Sequence, residues 1–434
     1  MAQTKPLPIG EFEWLTDEDR EEEKWLEYEQ EDEYGFIVEV DLDYPDYLHG
    51  HHNSFPLAVE RVKIDESMLS EYAADCHKLL RGGREKYSAE KLTATFNPRK
   101  KYVTHIFNLQ TYLKLGMELT KVHRVLRFRQ APFLKPYIEF CTAKRAASTS
   151  KFQENLQKFF ANAVFGKTIE NVRSHSVCKF VRNKKSCGRY IASPRFKHFK
   201  IISENCAIVF LSQSQVKLNK PIAVGFTILE LAKEFMYSQY YNTIKPIFNN
   251  QCEVIMHDTD SLLMRVSTPQ AEDNIEKIKH ILDFSKYPKT HPKYNIINKN
   301  RLGFFKDEVA GNHITEVCAL RSKVYSLQID EGDTKVKTEN RCKGIRKGYS
   351  KKIPFAAFKK CVLSITNHRT TQYNIMSRNH NVTTNKVNKL SFSSFCDKRS
   401  LAICGIHSYP YGSILIKKNY CYLCVRDNVI VKRL

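Results

Sequence analysis

The sequence predicts an α+β fold in which mostly antiparallel strands carry the candidate site and helices pack beside them. Residues 253–266, EVIMHDTDSLLMRV, place two apolar runs around a short polar turn, which is typical of a β-hairpin. Residues 152–172 repeat apolar side chains at helical spacing. Residues 221–241 indicate a long, mostly buried helix behind the hairpin. Between residues 35 and 120, strand-like pieces alternate with polar connections.

The polar turn of the predicted hairpin carries Asp258, Asp260 and Ser261. Two carboxylates fixed two residues apart offer hard oxygen ligands, which suit Mg²⁺ and the phosphates attached to it. The alternative is a solvated turn without chemistry, because D-x-D turns are common on protein surfaces.

The helix predicted over residues 152–172 has two different faces. We expect one face to pack, and it contains Leu156, Phe159, Phe160, Ala163 and Val164. The other face presents cations, an amide and an aromatic ring from Lys151, Lys158, Asn162 and Phe165. Ordinary amphipathic helices also turn such residues to solvent, so the pattern alone leaves both interpretations open.

Composition and charge point to a globular protein with an anionic partner. The chain has 42% hydrophobic residues and a formal net charge of +22. Residues 1–34 have a net charge of −10, which leaves about +32 on the remainder and favours a polyanion. A basic protein that merely adheres to nucleic acid is the simpler alternative. No run of residues predicts a membrane span or a signal peptide, and thirteen scattered cysteines predict reduced, intracellular thiols.

Three motifs carry a resemblance to a known family, and they occur in that family's order. HDTDSLL resembles the C motif of family B DNA polymerases, Y-G-D-T-D-S. Residues 152–172, FQENLQKFFANAVFGKTIENV, resemble the B motif, K-x-x-x-N-S-x-Y-G, and Lys323-Val324-Tyr325 resembles the K-x-Y motif. Whole phrases are similar to protein-primed polymerases of Polinton (Maverick) elements and adenovirus-like relatives. They include PLPIGEFEWL, KVHRVLRFRQAPFLKPYIEF and PIAVGFTILELAKEFMYSQYY, and the similarity extends to about Gly412.

The resemblance implies a polymerase palm with helical fingers and thumb, divided along the chain into four parts. These are a partial palm with an insertion typical of protein-primed polymerases (1–130), fingers (131–172), palm with the C and K-x-Y motifs (173–330), and thumb with a C-terminal tail (331–434). Residues 173–220 occupy the place of a second insertion. The insertion roles rest on analogy between folds.

The resemblance also implies the chemistry, which is template-directed deoxynucleotidyl transfer with two Mg²⁺ ions. Asp260 and Asp258 would be the catalytic, metal-binding residues. The nucleotide would be bound by Lys151, Lys158, Asn162 and Phe165. The DNA would be bound by Lys323, Tyr325, Lys343, Arg346 and Lys347. The implied partners are primer-template DNA, deoxynucleoside triphosphates and a priming protein, with no membrane, and the implied location is the nucleus, in a protein derived from a mobile element or virus.

This sequence departs from the family mainly at the A motif, which carries the first aspartate of the palm. There the A motif, D-A-N-N-L-Y-G-W-A-M-S-Q, precedes a P-L-P segment, whereas this sequence begins Met1-Ala2-Gln3 just before Pro6-Leu7-Pro8. We therefore expect Asp260 to be the main remaining ligand and the isolated chain to have weak or no activity. An alternative takes Asp41 to Pro45, after a strand over residues 36–40, as the A motif, although its spacing is too short. A non-catalytic DNA-binding protein derived from a mobile element is the rival function.

Three further segments carry weaker signals. The acidic residues 11–34 predict a solvated helix or loop, or alternatively an acidic mimic of DNA that guards a basic cleft. Residues 303–308, GFFKDE, resemble a palm strand in which Asp307 and Glu308 are structural and not metal ligands. Cys404-x-x-His407 with Cys421-x-x-Cys424 has a spacing acceptable for zinc. Against zinc, GIHSYPYG resembles the family's terminal G-I-H-T-L-A-Y-G phrase, in which the histidine has a place without metal.

Overall fold

The computed structural model describes residues 1–81, 90–332, 335–378, 381–416, 421 and 424. Within these ranges the paired strands run antiparallel, apart from one two-residue parallel pair. The predicted α+β class is confirmed. No helix among the described residues has both the length and the apolar character needed to cross a bilayer.

Residues 7–131 form a four-stranded sheet with strand order β1-β6-β2-β5 and a smaller β3-β4 pair. In chain order the elements are β1 (Leu7–Trp14), α1 (Asp17–Glu21), β2 (Tyr34–Asp43), α2 (Leu48–His52), β3 (Glu60–Val62), α3 (Glu71–Arg81), β4 (Lys91–Thr93), β5 (Arg99–His105), α4 (Ile106–Lys114) and β6 (Glu118–Ala131).

Residues 135–212 contain two packed helices followed by a three-stranded sheet of order β7-β9-β8. The elements are α5 (Lys135–Ala146), α6 (Lys151–Thr168), β7 (Ser176–Val181), α7 (Lys184–Ile191), β8 (Phe196–Ser203) and β9 (Cys206–Ser212). Helix α6 begins at Lys151 because the Ser150 hydroxyl accepts a hydrogen bond from the Gln153 N–H at 3.2 Å.

Residues 222–306 contain the predicted long helix and hairpin. The elements are α8 (Ile222–Ser238), α9 (Lys245–Phe248), β10 (Cys252–Asp258), β11 (Ser261–Val266), α10 (Ala271–Lys277), β12 (Leu282–Asp283) and β13 (Phe305–Lys306). A π-helical segment, Gln239–Ile244, continues α8 toward the hairpin.

The remaining described chain is built on a three-stranded meander and a long two-stranded ribbon. The elements are β14 (His313–Arg321), β15 (Val324–Asp330), β16 (Val336–Cys342), α11 (Lys347–Ser350), α12 (Phe355–Leu363), β17 (Asn367–Arg378), β18 (Asn381–Ser393), β19 (Ser400–Leu401) and β20 (Ser408–Tyr409). Strand content is therefore higher than a helical thumb would imply. Most of the tail beyond residue 416 lies outside the described residues.

Two hydrophobic cores hold these elements. The first core contains Val40 of β2, Leu109 of α4, Tyr237 of α8 and Val254 of β10. Because Val254 belongs to this core, burial of apolar surface fixes the hairpin against the sheet and the α8 helix. The second core joins the meander to α12 and β18, where the rings of Phe358 and Phe392 lie 4.2 Å apart.

A small cluster fixes the end of α6 against α8. Phe165 of α6 packs against a cluster that includes Leu7 and Val224. A side chain at Gly225 would collide with Thr168 and Ile169. The glycine therefore permits the close approach of the two helices.

The structure corrects two predictions about local structure in part. Residues 11–34 are not a purely solvated helix or loop, because Glu11 and Glu13 lie on β1 and pair with arginines of β6, Arg129 and Arg127, at 3.1 and 2.6 Å. Trp25 is also buried, with 3% of its surface exposed. The basic strand β6 offers these acidic residues a partner that composition alone does not reveal.

The predicted packing face of α6 is also only partly buried. Phe159 is 64% exposed and Phe160 is 41% exposed. The helix packs through its neighbour α5 and through its C-terminal turn, so the middle of its apolar face has no covering element among the described residues.

Candidate functional site

The tip of the β10–β11 hairpin presents Asp258 and Asp260. Asp258 pairs with Ser261, so the connecting turn consists of Thr259 and Asp260. The Asp260 N–H donates to the Asp258 carbonyl at 2.7 Å, and Thr259 has a φ of +60°. A β-branched residue at positive φ is an outlier that costs roughly 1–3 kcal/mol, and such residues cluster at functional sites. The strained turn holds two carboxylates at one place.

Lys323 of the K-x-Y motif reaches the hairpin. Its Nζ lies 3.2 Å from Oδ1 of Asp258. Lys323 occupies the tight turn between β14 and β15 with a φ of +64°, and its carbonyl accepts the Lys343 N–H at 3.0 Å. Two motifs that are distant in the sequence therefore meet, and the ammonium group compensates part of the negative charge at the hairpin tip.

Tyr325 lies on β15 opposite Arg341 of β16. Burial raises the pKa of Tyr325, and the negative charges of Glu339 and Asp258 act in the same direction. The phenol is therefore protonated at neutral pH and able to donate a hydrogen bond near the hairpin.

A cleft of about 1160 Å³ runs past the hairpin, with Asp258 and Thr259 in its wall. Eight lysine or arginine residues and three acidic residues line it. All three acidic residues are already paired with cations. The wall therefore has an excess of positive charge, which favours an anionic ligand such as a phosphate backbone.

The predicted nucleotide-binding residues lie along α6 in different settings. Lys158 and Asn162 are exposed, whereas Phe165 is partly buried against α8. Lys151 forms an ion pair with Glu154 at 2.6 Å, and Glu154 also contacts Arg145 at 3.1 Å. Of the two lysines in this set, Lys151 is paired, and Lys158 has no ion-pair partner among the described residues.

Lys343, Arg346 and Lys347 are exposed where β16 leads into α11. Among the described residues none of them has an ion-pair partner. The Arg346 N–H donates to Gln372 of the β17–β18 ribbon at 3.1 Å, which fixes the backbone and leaves the three cations facing solvent. This arrangement suits contacts to a phosphate backbone.

Asp41, the alternative A-motif ligand, is committed to the sheet. Its carboxylate accepts the Lys101 N–H at 2.7 Å, lies 2.8 Å from Nε2 of His123 and pairs with Lys100 at 3.3 Å. The Lys101 and His123 hydrogen bonds lower the pKa of Asp41 to about 2. These contacts support a structural role for Asp41.

Asp307 and Glu308 also have structural partners. Asp307 accepts the N–H groups of Val309 and Gly311 at 2.9 and 2.8 Å, and Glu308 pairs with Lys286 at 3.2 Å. Both residues therefore serve the local turn and surface, in agreement with the sequence expectation.

The hairpin fits one mode of magnesium binding. Mg²⁺ in phosphate-transfer sites is commonly held by one or two carboxylates together with substrate phosphates. Within the described ranges, Asp258 and Asp260 are not joined by a third acidic, histidine or cysteine side chain in a group able to share an ion. The donor set therefore fits an ion that arrives with nucleotide phosphates, and does not fit one held by the protein alone.

Sequence reasoning missed part of the cleft wall. Lys100 and Lys101 on β5, and Lys398 and Arg399 near the C-terminal end, line it together with the hairpin. The basic run Arg99-Lys100-Lys101 is evident in the sequence. It lies far from Asp258 and Asp260 along the chain, so no local pattern places it beside the hairpin. The structure also brings together Cys404, His407, Cys421 and Cys424.

No protein-family model matches the chain. No curated protein matches it either. Solved structures do match, at low identity. The chain is similar to Phi29 DNA polymerase complexed with primer-template DNA and incoming nucleotide substrates, with 16% identity over 90% of this chain and 56% of that chain and a TM-score of 0.53.

The binary complex of Phi29 DNA polymerase with primer-template DNA gives 15% identity and a TM-score of 0.51, over 90% of this chain and 55% of that one. The orthorhombic crystal form of the same polymerase gives 15% identity and the same TM-score. The chain thus spans little more than half the length of these structures. At this identity the likeness concerns the fold alone, which the chain shares with Phi29 DNA polymerase over the part that it spans.

Proposed function

We propose that this chain is a DNA-directed DNA polymerase that transfers deoxynucleotides to a primer under the direction of a template. The observation that carries the proposal is the 3.2 Å contact between Lys323 and Asp258. It joins the C and K-x-Y motifs at a basic cleft, on a fold shared with a polymerase solved with primer-template DNA and nucleotide. Motif, charge and fold thus support the same reaction.

The reaction would be an in-line substitution at phosphorus. The primer hydroxyl oxygen forms a bond to the α-phosphorus of the nucleotide, the bond to pyrophosphate breaks, and the hydroxyl proton passes to solvent. Asp258 and Asp260 would hold two Mg²⁺ ions, which supply charge stabilisation to the attacking and leaving oxygens.

The protein's own groups position the reactants. Lys158 presents a charge to the triphosphate, with Asn162 and Phe165 on the same helix beside the nascent base pair. Lys323 offsets repulsion between the hairpin carboxylates and the phosphates. Lys343 and its exposed neighbours neutralise the backbone of the bound duplex.

Initiation from a priming protein and a nuclear location are part of the same proposal. Both rest on the resemblance of phrases such as KVHRVLRFRQAPFLKPYIEF to protein-primed polymerases of Polinton and adenovirus-like type. The second candidate function is a non-catalytic DNA-binding protein derived from a mobile element. The observation that favours this alternative is the missing third carboxylate among the described residues around Asp258 and Asp260.

Primer-template binding and extension by the 434-residue chain separate these candidates. We expect binding to weaken about a thousandfold or more between 50 and 200 mM salt, because phosphate neutralisation supplies most of the affinity. Fluorescence anisotropy of a labelled duplex measures this. Slow extension with Mg²⁺ and the complementary nucleotide only, at equal DNA occupancy, supports the polymerase. Binding without any incorporation supports the second candidate, and weak, salt-independent binding contradicts both.

Lys158→Ala is expected to raise the nucleotide KM while DNA affinity stays constant. A charge-assisted contact to the triphosphate contributes about 1.5 to 3 kcal/mol, which corresponds to roughly ten- to a hundredfold in nucleotide binding. Steady-state extension at varied nucleotide concentration measures it. Lys167→Ala is the matched control, since Lys167 lies on the same helix and pairs with Glu170 at the surface. Loss of DNA binding with an unchanged KM would place Lys158 on the duplex instead.

A further inference from the structure

The C-terminal part of the described chain contains a compact group of four metal-binding side chains. The ligand atoms of Cys404, His407, Cys421 and Cys424 all lie within 4.8 Å of one another. All three sulfurs lie close to Nδ1 of His407, at 3.5, 3.5 and 3.3 Å. We propose that these residues bind one zinc ion in a tetrahedral Cys₃His site.

The distances match those of a tetrahedral zinc site. Zn–S and Zn–N bonds of about 2.3 and 2.0–2.1 Å at tetrahedral angles place each sulfur about 3.5 Å from the coordinating nitrogen. One imidazole nitrogen takes part in a single hydrogen bond as donor or acceptor. Hydrogen bonding alone therefore cannot account for three sulfurs around Nδ1, whereas a shared ion accounts for all of them.

The backbone forms the first ligand pair in the β19–β20 hairpin. The Ala402 N–H donates to the His407 carbonyl at 2.8 Å, and the His407 N–H donates to Sγ of Cys404 at 3.4 Å. Gly405 adopts a φ of +72°, and a side chain there would collide with the ring of Tyr72. The turn therefore holds Cys404 and His407 side by side.

The surroundings resemble those of a closed structural site. Cys421 is buried with Ala402 and Tyr409, and Leu415 packs beside them. Four protein ligands leave no open position, which is characteristic of structural and not catalytic zinc. No disulfide joins cysteines within the described residues, so the thiols are available as ligands.

The four ligands lie in a segment that contacts the cleft wall, where a bound zinc ion would stabilise the structure. Ile406, between the first two ligands, lies in the wall of the cleft that contains Asp258. The same segment is tied to the first core and to the end of α2. The Phe96 N–H donates to the Tyr411 carbonyl at 2.7 Å, and Arg399 donates to the Asn53 carbonyl at 2.9 Å. Zinc would fasten the C-terminal segment to this wall. None of the four zinc ligands has a role in the proposed polymerase reaction.

The test measures zinc bound to the full 434-residue protein purified without chelator. We expect about one zinc per chain by inductively coupled plasma mass spectrometry. The double variant Cys421→Ser/Cys424→Ser should lose it, while the control Cys178→Ser/Cys206→Ser, on the separate β7–β9–β8 sheet, should keep it. Absence of zinc from the parent protein, or equal zinc in both double variants, would overturn the proposal.

A second variant covers the case in which the serine protein does not fold. Cys424→His replaces one ligand by another and should keep one zinc. After exchange of zinc for cobalt, the thiolate-to-cobalt absorption of this variant should be weaker than that of the parent, because one sulfur has been removed. Identical cobalt spectra would show that Cys424 is not a ligand and would refute the Cys₃His assignment.

Discussion

Asp260→Ala is expected to abolish any residual Mg²⁺-dependent nucleotide addition by this chain. Asp260 is exposed on the strained hairpin turn, whereas Asp258 is partly neutralised by Lys323 at 3.2 Å. Metal-ion stabilisation of phosphoryl oxygens is worth several kcal/mol, and each 1.36 kcal/mol is a factor of ten in rate. The loss should therefore exceed about a hundredfold. Single-nucleotide extension of a labelled primer, at saturating DNA, measures it.

Two controls make the result specific. Asp273→Ala removes an exposed aspartate from α10, close in sequence but away from the hairpin turn, and should leave extension unchanged. Duplex binding by Asp260→Ala should not fall, because removal of a negative charge lowers repulsion toward phosphates. Extension that survives Asp260→Ala would mean that the metal is held elsewhere than at the hairpin tip.

Glu230→Ala is expected to destabilise the fold by about 3 to 5 kcal/mol, the usual effect of removing one partner of a buried ion pair. Glu230 is 3% exposed. Its carboxylate accepts hydrogen bonds from Thr104 at 2.7 Å and Asn108 at 3.0 Å, and it pairs with Lys233. Alanine removes the acceptor of the buried Thr104 hydroxyl and the ion-pair partner of Lys233, and it takes one of two acceptors from Asn108.

Urea unfolding followed by tryptophan fluorescence measures this effect, because Trp25 is buried in the same first core. Glu230→Gln retains a hydrogen-bond acceptor and should lose less stability than Glu230→Ala. Glu276→Ala, which breaks an exposed pair with Lys279, should change stability by no more than about 1 kcal/mol. Equal midpoints for the Glu230 and Glu276 alanine variants would show that the buried network does not stabilise the fold.

Local patterns predicted the elements that carry the candidate site. The apolar runs around the turn at Asp258 and Asp260 gave the hairpin, and helical periodicity gave α6 and α8. These predictions succeeded because the apolar residues of each element repeat at the spacing that its helix or strand requires. The same reasoning failed for Phe159 and Phe160, because burial of a face depends on a neighbouring element that periodicity does not specify.

Contacts between distant segments were beyond the reach of sequence patterns. Nothing local to Lys323 indicates that its side chain meets Asp258, and nothing local to Cys404 fixes its approach to Cys424. Both contacts arise from the packing of whole strands and turns. Asp41 is the opposite case. Its position after a predicted strand resembled that of a catalytic aspartate, but its hydrogen bonds to Lys101 and His123 support a structural role.

The two largest hydrophobic cores are built from different segments of the chain. The buried residues of the core that contains Trp25 lie within residues 25–281, and those of the core around Phe358 and Phe392 lie within residues 318–392. Several contacts between the two parts are polar, such as the ion pair of Lys323 with Asp258 and that of Lys91 with Asp397. Polar contacts of this kind exchange with water at small free-energy cost.

It follows that either part can melt by exposing its own core to water. We expect denaturation to proceed in more than one step, with the fluorescence of the buried Trp25 reporting on the part that contains residues 25–281.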